Sequence, residues 1–194
     1  MTPPPKLQAP GAGLPLPARL YIRYFGRRKL RRNYTWESAA TSVEAIALRM
    51  YIHSSRLSDE VLARRVLVPP MRGLEDSSRY WSPAMVFQHL WITGEIFSAI
   101  ILKLSRGETI VESRGAADVK PSPDANRADL EKFRIVHAEA TERIGRESGP
   151  DRTGRTFPHP WFVPLTASDW YALLAVHLLL HERQWNEIVS GRRG

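Results

Sequence analysis

Apolar residues recur along this chain at intervals of three and four residues, in four long stretches separated by polar connections. Such spacing places the apolar side chains on one face of an α-helix, so it predicts four amphipathic helices. The first is predicted from about Trp36 to Arg65, with an apolar face made of Val43, Ile46, Met50, His53 and Leu57. The second is predicted to begin at Pro83, with Ser82 as its N-cap, and to stop near Gly107.

The remaining two helices carry equally clear start signals. The third is predicted to begin near Asp124 or Asn126 and to continue to about Glu147. The fourth has Thr166 as its N-cap and Asp169 three residues later, which is close to a capping box and favourable to the helix dipole. These signals predict a bundle with well-defined helix starts.

The connections between the helices are long, and no strand pattern competes with the helical one. They cover residues 66–82, 107–125 and 149–165, which is more than a minimal up-and-down bundle needs. The sequence therefore predicts an all-α fold, a four-helix bundle with long crossover connections.

The chain divides into an N-terminal extension, residues 1–35, and a bundle domain, residues 36–194. Proline disfavours helix in residues 1–18, which we expect to be disordered or extended. The run Arg19–Arg32 mixes basic and apolar residues, and it predicts a short helix that packs on the bundle as an arm or projects to bind an acidic partner.

The net charge of +8 is confined to the two ends of the chain. Residues 1–32 and 191–194 hold ten of the 28 basic residues and no acidic ones, so 18 basic residues face all 20 acidic residues elsewhere. Because the rest of the chain has no excess of basic residues, its charge argues against nucleic acid as a partner. The basic arm still allows an alternative, a non-catalytic module that interacts through this arm.

Cysteine is absent, which excludes disulfides, thiolate metal sites and a cysteine nucleophile. The proline-rich start has no continuous apolar segment of a secretory signal, and the most apolar stretch, residues 83–104, contains charged side chains. We therefore expect a cytoplasmic protein with no membrane partner.

Two histidines suggest a metal site. His177 and His181 are four residues apart, so their imidazoles lie on the same helical face and can bind one ion. A third imidazole from another helix would complete a three-ligand site with an open position, as in catalytic zinc centres. The spacing alone is weak, because a buried, hydrogen-bonded histidine is the commoner explanation, and Leu178 excludes the zincin motif.

The landmarks around these histidines resemble the DinB-like family of bacterial four-helix-bundle proteins over about residues 40–190. They are Trp81-Ser82-Pro83, His89-Leu90, His159-Pro160-Trp161-Phe162, Leu165-Thr166, Trp170, His177, His181 and Gln184. The resemblance implies that His89, His177 and His181 hold a divalent metal. Val163 stands where relatives often have glycine, and the basic leader up to about Asn33 has no counterpart in the family.

A three-histidine site suits zinc, nickel or iron and leaves room for water or a small-molecule substrate. The resemblance implies either a thiol-dependent S-transferase or isomerase, or a metal-dependent hydrolase. Because the sequence offers no dedicated general base, it favours thiol activation, with a low-molecular-weight thiol as a substrate. A non-catalytic binding module and pairing into a homodimer stay open. No catalytic residue is assigned, and the candidates for orienting the ligands are His53, Gln184 and Glu95.

Overall fold

In the part of the chain that the structure describes, helices predominate and two very short strands accompany them. The computed structural model describes residues 5–9, 11–111, 115, 117–150 and 153–191. In chain order the helices are α1 (Leu16–Tyr21), α2 (Arg27–Asn33), α3 (Trp36–Ser55), α4 (Asp59–Ala63), α5 (Pro83–Ser105), α6 (Arg127–Glu147) and α7 (Ala167–Ser190). A π-helical turn, Ile22–Gly26, joins α1 to α2, and the antiparallel strands are β1 (Val66–Leu67) and β2 (Tyr80–Trp81).

The four long helices α3, α5, α6 and α7 form the predicted bundle. Helix α5 packs against α6 and α7, and α3 packs against the same two helices, so α3 and α5 occupy opposite corners. The chain from α3 to α5 and the chain from α6 to α7 must each cross to the opposite corner. The predicted all-α fold with long crossover connections is confirmed.

The predicted N-caps begin three of these helices. The Ser82 hydroxyl accepts a hydrogen bond from the Met85 N–H at 3.2 Å, and the Asn126 and Thr166 side chains cap α6 and α7 as capping boxes. Helix α7 ends at Gly191, whose φ of 66° suits a residue without a Cβ. These starts fix the position of α5 and α7, which carry the candidate ligands.

The first helix is shorter than predicted, and the expectation that it reaches Arg65 was wrong. It ends at Ser55 because Ser58 caps a new short helix, α4, by accepting the Val61 N–H. His53 is exposed, so its predicted place on the inward face was also wrong. Met50 and Ser54 are both fully buried, which shows that the inward stripe continues at Ser54.

Helix α5 is the core helix of the bundle. It is long and apolar enough to cross a membrane, but 67% of its most apolar window is buried inside the protein. That burial explains its composition and is typical of the core helix of a soluble protein.

The N-terminal residues Leu16–Asn33 form one helical arm that docks on the bundle. Gly26 lies so close to Phe162 that a Cβ at this position would be 2.6 Å from the Phe162 ring. Arg27 and Arg31 both donate to the carboxylate of Asp169, at 2.8 Å and 2.7 Å, at the start of α7. In the structure this basic run is helical, and its C-terminal half packs on the bundle.

Candidate metal centre

Three imidazoles converge between α5 and α7. His89 comes from α5, His177 and His181 come from α7, and one ring nitrogen of each lies within 4.8 Å of the others. The Nε2 atoms of His89 and His177 are 3.2 Å apart. Two nitrogens bound to one tetrahedral zinc ion would be about 3.3 Å apart, given Zn–N distances of 2.0–2.1 Å. The structure thus brings together the three histidines that the family resemblance implies.

Hydrogen bonds fix the orientation and the tautomer of two of these rings. His89 Nδ1 lies 2.7 Å from the carbonyl oxygen of Val119, which can only accept, so Nδ1 carries the proton and Nε2 has a free lone pair. His181 Nδ1 donates in the same way to Gln184 Oε1 at 2.7 Å. The Gln184 amide in turn donates to the carbonyl of Ser78 at 2.7 Å, which fixes which of its atoms faces His181.

Burial keeps all three imidazoles neutral. It lowers the pKa of His89 from 6.5 to about 4, and it lowers the pKa values of His177 and His181 well below 6.5. A neutral imidazole has the lone pair that metal coordination requires. At neutral pH the three rings therefore need no deprotonation before they bind a cation.

The donor set fits a divalent metal ion. Nε2 of His177 lies 3.2 Å from the Nε2 lone pair of His89 and can donate to it when no metal is bound. The other tautomer of His177, with its proton on Nδ1, would offer three Nε2 lone pairs to one cation. His177 Nδ1 is buried and has no hydrogen-bond partner among the described residues. Metal binding through Nε2 would place the ring proton on this Nδ1, so the convergence of the rings, rather than this atom, is what fits a metal.

A cavity of about 370 Å³ opens beside the histidines. Its wall is mostly apolar, and the volume matches a small organic molecule. The apolar part of the wall includes Ile96, Phe97, Ile100, Ile110, Trp161 and Leu180.

A partly buried ion pair lies in the same wall. Lys120 donates to Glu75 at 3.3 Å and to the hydroxyls of Ser77 and Ser78 at 2.8 Å and 2.7 Å. Burial lowers the pKa of Lys120, although Glu75 opposes this effect. The Lys120 ammonium also lies 5.3 Å from the ring of Trp81, which stacks nearly parallel to His181 with a ring distance of 5.9 Å.

A fourth histidine, His159, lies in the cavity wall. Its Nδ1 accepts a hydrogen bond from the backbone N–H of Trp161 at 3.2 Å, and burial lowers its pKa to about 4. Its ring packs against Phe162 and Trp170. The sequence placed His159 only within the His-Pro-Trp-Phe landmark and assigned it no role in the site.

The three residues expected to orient the ligands have different surroundings. Gln184 is fully buried and bonds His181 directly. Glu95 is exposed at the cavity wall, 3.7 Å from Lys132, and it is not hydrogen-bonded to a ligand. His53 is exposed on α3, and its ring faces Trp185 at 6.3 Å. Sequence reasoning missed Val119 and Ser78, which act through backbone carbonyl groups that no side-chain pattern reveals.

Comparison with known proteins relates the chain to a family. The family model of the DinB superfamily matches residues 48–185, well over half of the chain and all three histidines. Neither a curated protein nor a solved structure matches the chain significantly.

Proposed function

We propose that this chain, which belongs to the DinB superfamily, is a divalent-metal-dependent enzyme that activates a small thiol for S-transfer or isomerisation. The observation that carries the proposal is the convergence of three neutral imidazoles at the wall of a mostly apolar cavity. Three protein ligands leave a coordination position open, and the cavity gives a small substrate access to it.

The chain's own residues prepare the ligands. The Val119 carbonyl and the Gln184 amide orient two rings so that each Nε2 faces the centre, and the burial of all three rings keeps them neutral. Divalent zinc, nickel or iron would lower the pKa of a bound thiol, so that the thiol loses its proton near neutral pH. The protein therefore needs no strong base for this step.

The apolar wall supports the second half of the reaction. Ile96, Phe97 and Ile100 exclude water from a nucleophilic sulfur and hold an apolar electrophile next to it. In an S-transfer the sulfur forms a bond to an electrophilic carbon, and the bond from that carbon to its leaving group breaks with its electron pair. In an isomerisation the thiol leaves again and is regenerated.

A metal-dependent hydrolase is the second candidate, and one observation favours it. Glu75 lies in the cavity wall, and its Oε1 is buried without a hydrogen-bond partner among the described residues. Such a carboxylate oxygen could accept a proton from an attacking water. The Lys120 ion pair occupies the other oxygen of this carboxylate, which makes it a weaker candidate base.

The test begins with protein purified without a histidine tag. We expect about one equivalent of zinc, nickel or iron by elemental analysis, and less than a tenth of that in the His177→Ala/His181→Ala variant. The exposed residue His53 provides the matched control, and His53→Ala should retain the metal. A metal-free wild-type protein that takes up none of these ions on addition would contradict the proposal.

Turnover then separates the two reactions. Metal-loaded protein is incubated with alkyl halides, epoxides and activated alkenes in the presence of glutathione or cysteine, and with esters and amides in the absence of thiol. Thiol-dependent product that disappears in the double-histidine variant supports S-transfer. Thiol-independent hydrolysis that also falls in Glu75→Gln supports the hydrolase.

A further inference from the structure

The helical arm, Leu16–Asn33, exposes an unusual share of the large apolar residues. Among the residues that the structure describes, five of the nine exposed large hydrophobic ones lie in it, with Tyr24 71% and Leu16 63% exposed. The other three are Leu20, Tyr21 and Phe25, and the rings of Tyr21 and Phe25 pack together at 5.6 Å. Clustered exposed apolar residues of this kind mark a surface that binds something.

The same arm carries basic residues and no acidic ones. Arg27 and Arg31 are engaged with Asp169, whereas five exposed basic residues have no carboxylate partner among the residues that the structure describes. These five are Arg19, Arg23, Arg28, Lys29 and Arg32. The exposed surface of the arm thus combines aromatic and aliphatic groups with uncompensated positive charge.

The C-terminal half of the arm is fixed to the bundle. Leu30 is buried, Gly26 packs on Phe162, and the two arginines hold Asp169. The exposed apolar side chains, all before Gly26, therefore project from a helical segment that is anchored at its C-terminal end. A partner that binds them does not have to order the segment first.

We propose that the exposed surface of this arm docks on a membrane surface rich in anionic phospholipid. A basic helix with exposed aromatic and leucine side chains is typical of helices that lie in the lipid headgroup region. A phosphate backbone of nucleic acid would satisfy the charge but would leave Leu16 and Leu20 in water. A second copy of the chain carries the same positive arm, so charge repulsion opposes that partner.

This proposal is independent of the metal site and revises the expectation of no membrane partner. That expectation rested on the absence of a membrane-spanning segment and of a secretory signal. It therefore concerned insertion into the membrane. Peripheral docking depends instead on which side chains of residues 16–33 stay exposed after the arm packs. The pattern of apolar and basic residues does not show which of them the packing covers. Lipid contact would also lie near Phe162, which follows the cavity-wall residue Trp161 in the chain.

Sedimentation of the full-length protein with vesicles tests the proposal. The vesicles contain phosphatidylcholine alone, or phosphatidylcholine and phosphatidylglycerol in equal amounts. We expect binding to the mixed vesicles only, and weakening of that binding as salt is added. Neutralising one base near an anionic surface costs about fivefold in affinity, so Arg19→Gln/Arg23→Gln/Arg28→Gln should lose about a hundredfold.

The apolar contribution has its own variant and control. Leu20→Ser/Tyr24→Ser should lose about tenfold or more in affinity for the mixed vesicles, because these side chains no longer enter the headgroup region. Two matched controls should bind as the wild type does: Leu48→Ser/Ile52→Ser, at exposed apolar positions on α3, and Arg64→Gln/Arg72→Gln/Arg183→Gln on the body. Circular dichroism and thermal unfolding check that each variant is folded.

Three outcomes would overturn the proposal. The first is absence of binding to mixed vesicles at low salt. The second is an equal loss in the control variants, which would assign the binding to charge or exposed surface in general. The third is tight binding of a duplex oligonucleotide, without vesicle binding, that Leu20→Ser/Tyr24→Ser leaves unchanged, because this result would assign the arm to nucleic acid.

Discussion

The bundle buries histidines in two different environments, and the comparison explains what makes one of them a site. His137 on α6 is 2% exposed, and His181 on α7 is 3% exposed. Burial lowers the pKa of both, to about 4 for His137 and well below 6.5 for His181. By depth and charge state the two residues are nearly equivalent.

Their hydrogen bonds and neighbours differ. His137 Nδ1 donates to the Phe133 carbonyl one turn earlier in its own helix, and its Nε2, near the backbone at Gly94, has no partner among the described residues. His181 Nδ1 donates to Gln184, and its Nε2 faces two further imidazoles and a cavity. Burial alone therefore does not define a metal site. Convergence on a shared, accessible point does.

The two environments should differ most in how far each contributes to stabilisation by metal. At a concentration a hundredfold above its dissociation constant, a metal stabilises the protein by about 2.7 kcal/mol, which is a rise of about 5–10 °C in Tm for a chain of this size. Thermal unfolding should show this rise in the wild type and in His137→Asn. The rise should be absent in His177→Ala/His181→Ala. A rise of equal size in this variant would show that the metal does not bind at the three converging histidines.

The next effect concerns the group that orients His181. Gln184→Ala removes the acceptor of the His181 Nδ1–H and the link to Ser78, and it should weaken metal binding by about 10–100-fold. Metal titration by calorimetry measures the loss. Asn186→Ala removes an exposed amide from the same helix and should bind metal with unchanged affinity. Equal affinities for both variants would show that Gln184 only fills space.

Acid should reveal the cost of burying His137 as a neutral ring. Its pKa in the folded protein is about 4 against an ordinary 6.5, so between these values the unfolded chain binds a proton that the folded chain excludes. The contribution of His137 to the free energy of unfolding is at its full value above about pH 6.5 and falls toward pH 4. The loss from this residue is about 2 kcal/mol between pH 7 and pH 5. Urea unfolding of metal-free protein should show a loss smaller by that amount in His137→Asn, which keeps a donor for Phe133.

The smallest effect is expected at the exposed histidine. His53→Ala should change the free energy of unfolding by less than about 0.5 kcal/mol, because the ring is exposed and only faces Trp185. Chemical denaturation at pH 7 measures it. A loss above about 1 kcal/mol would show that the contact with Trp185 matters more than its exposure suggests.

Sequence reasoning located the elements of the site that depend on local signals. The caps at Ser82, Asn126 and Thr166 set the starts of three helices, and side-chain hydrogen bonds to nearby N–H groups make such signals readable. The end of α3 was missed because Ser58 restarts the helix only a few residues after Ser55, within a continuous apolar pattern.

The site itself divides in the same way. The spacing of His177 and His181 is a local property, whereas the choice of His89 needed the family resemblance, since most of the histidines fall on predicted helices. The Val119 carbonyl accepts from His89, 30 residues away in the chain, and the Ser78 carbonyl accepts from Gln184, 106 residues away, which in turn holds His181. Such contacts depend on the path of the crossover connections, which composition and periodicity do not specify.

The contact between Gly26 and Phe162 determines which N-terminal residues a shortened version of this protein would need to keep. Similarity to the family starts at residue 48, and every residue of the cavity wall lies within the matched stretch. A protein trimmed to that stretch would contain the whole pocket, yet it would lack the surface against which Phe162 rests and the arginines that neutralise Asp169. The segment that identifies the relatives is therefore smaller than the segment that supports the loop of Trp161 and Phe162, and a graft of the former into another scaffold would leave that support behind.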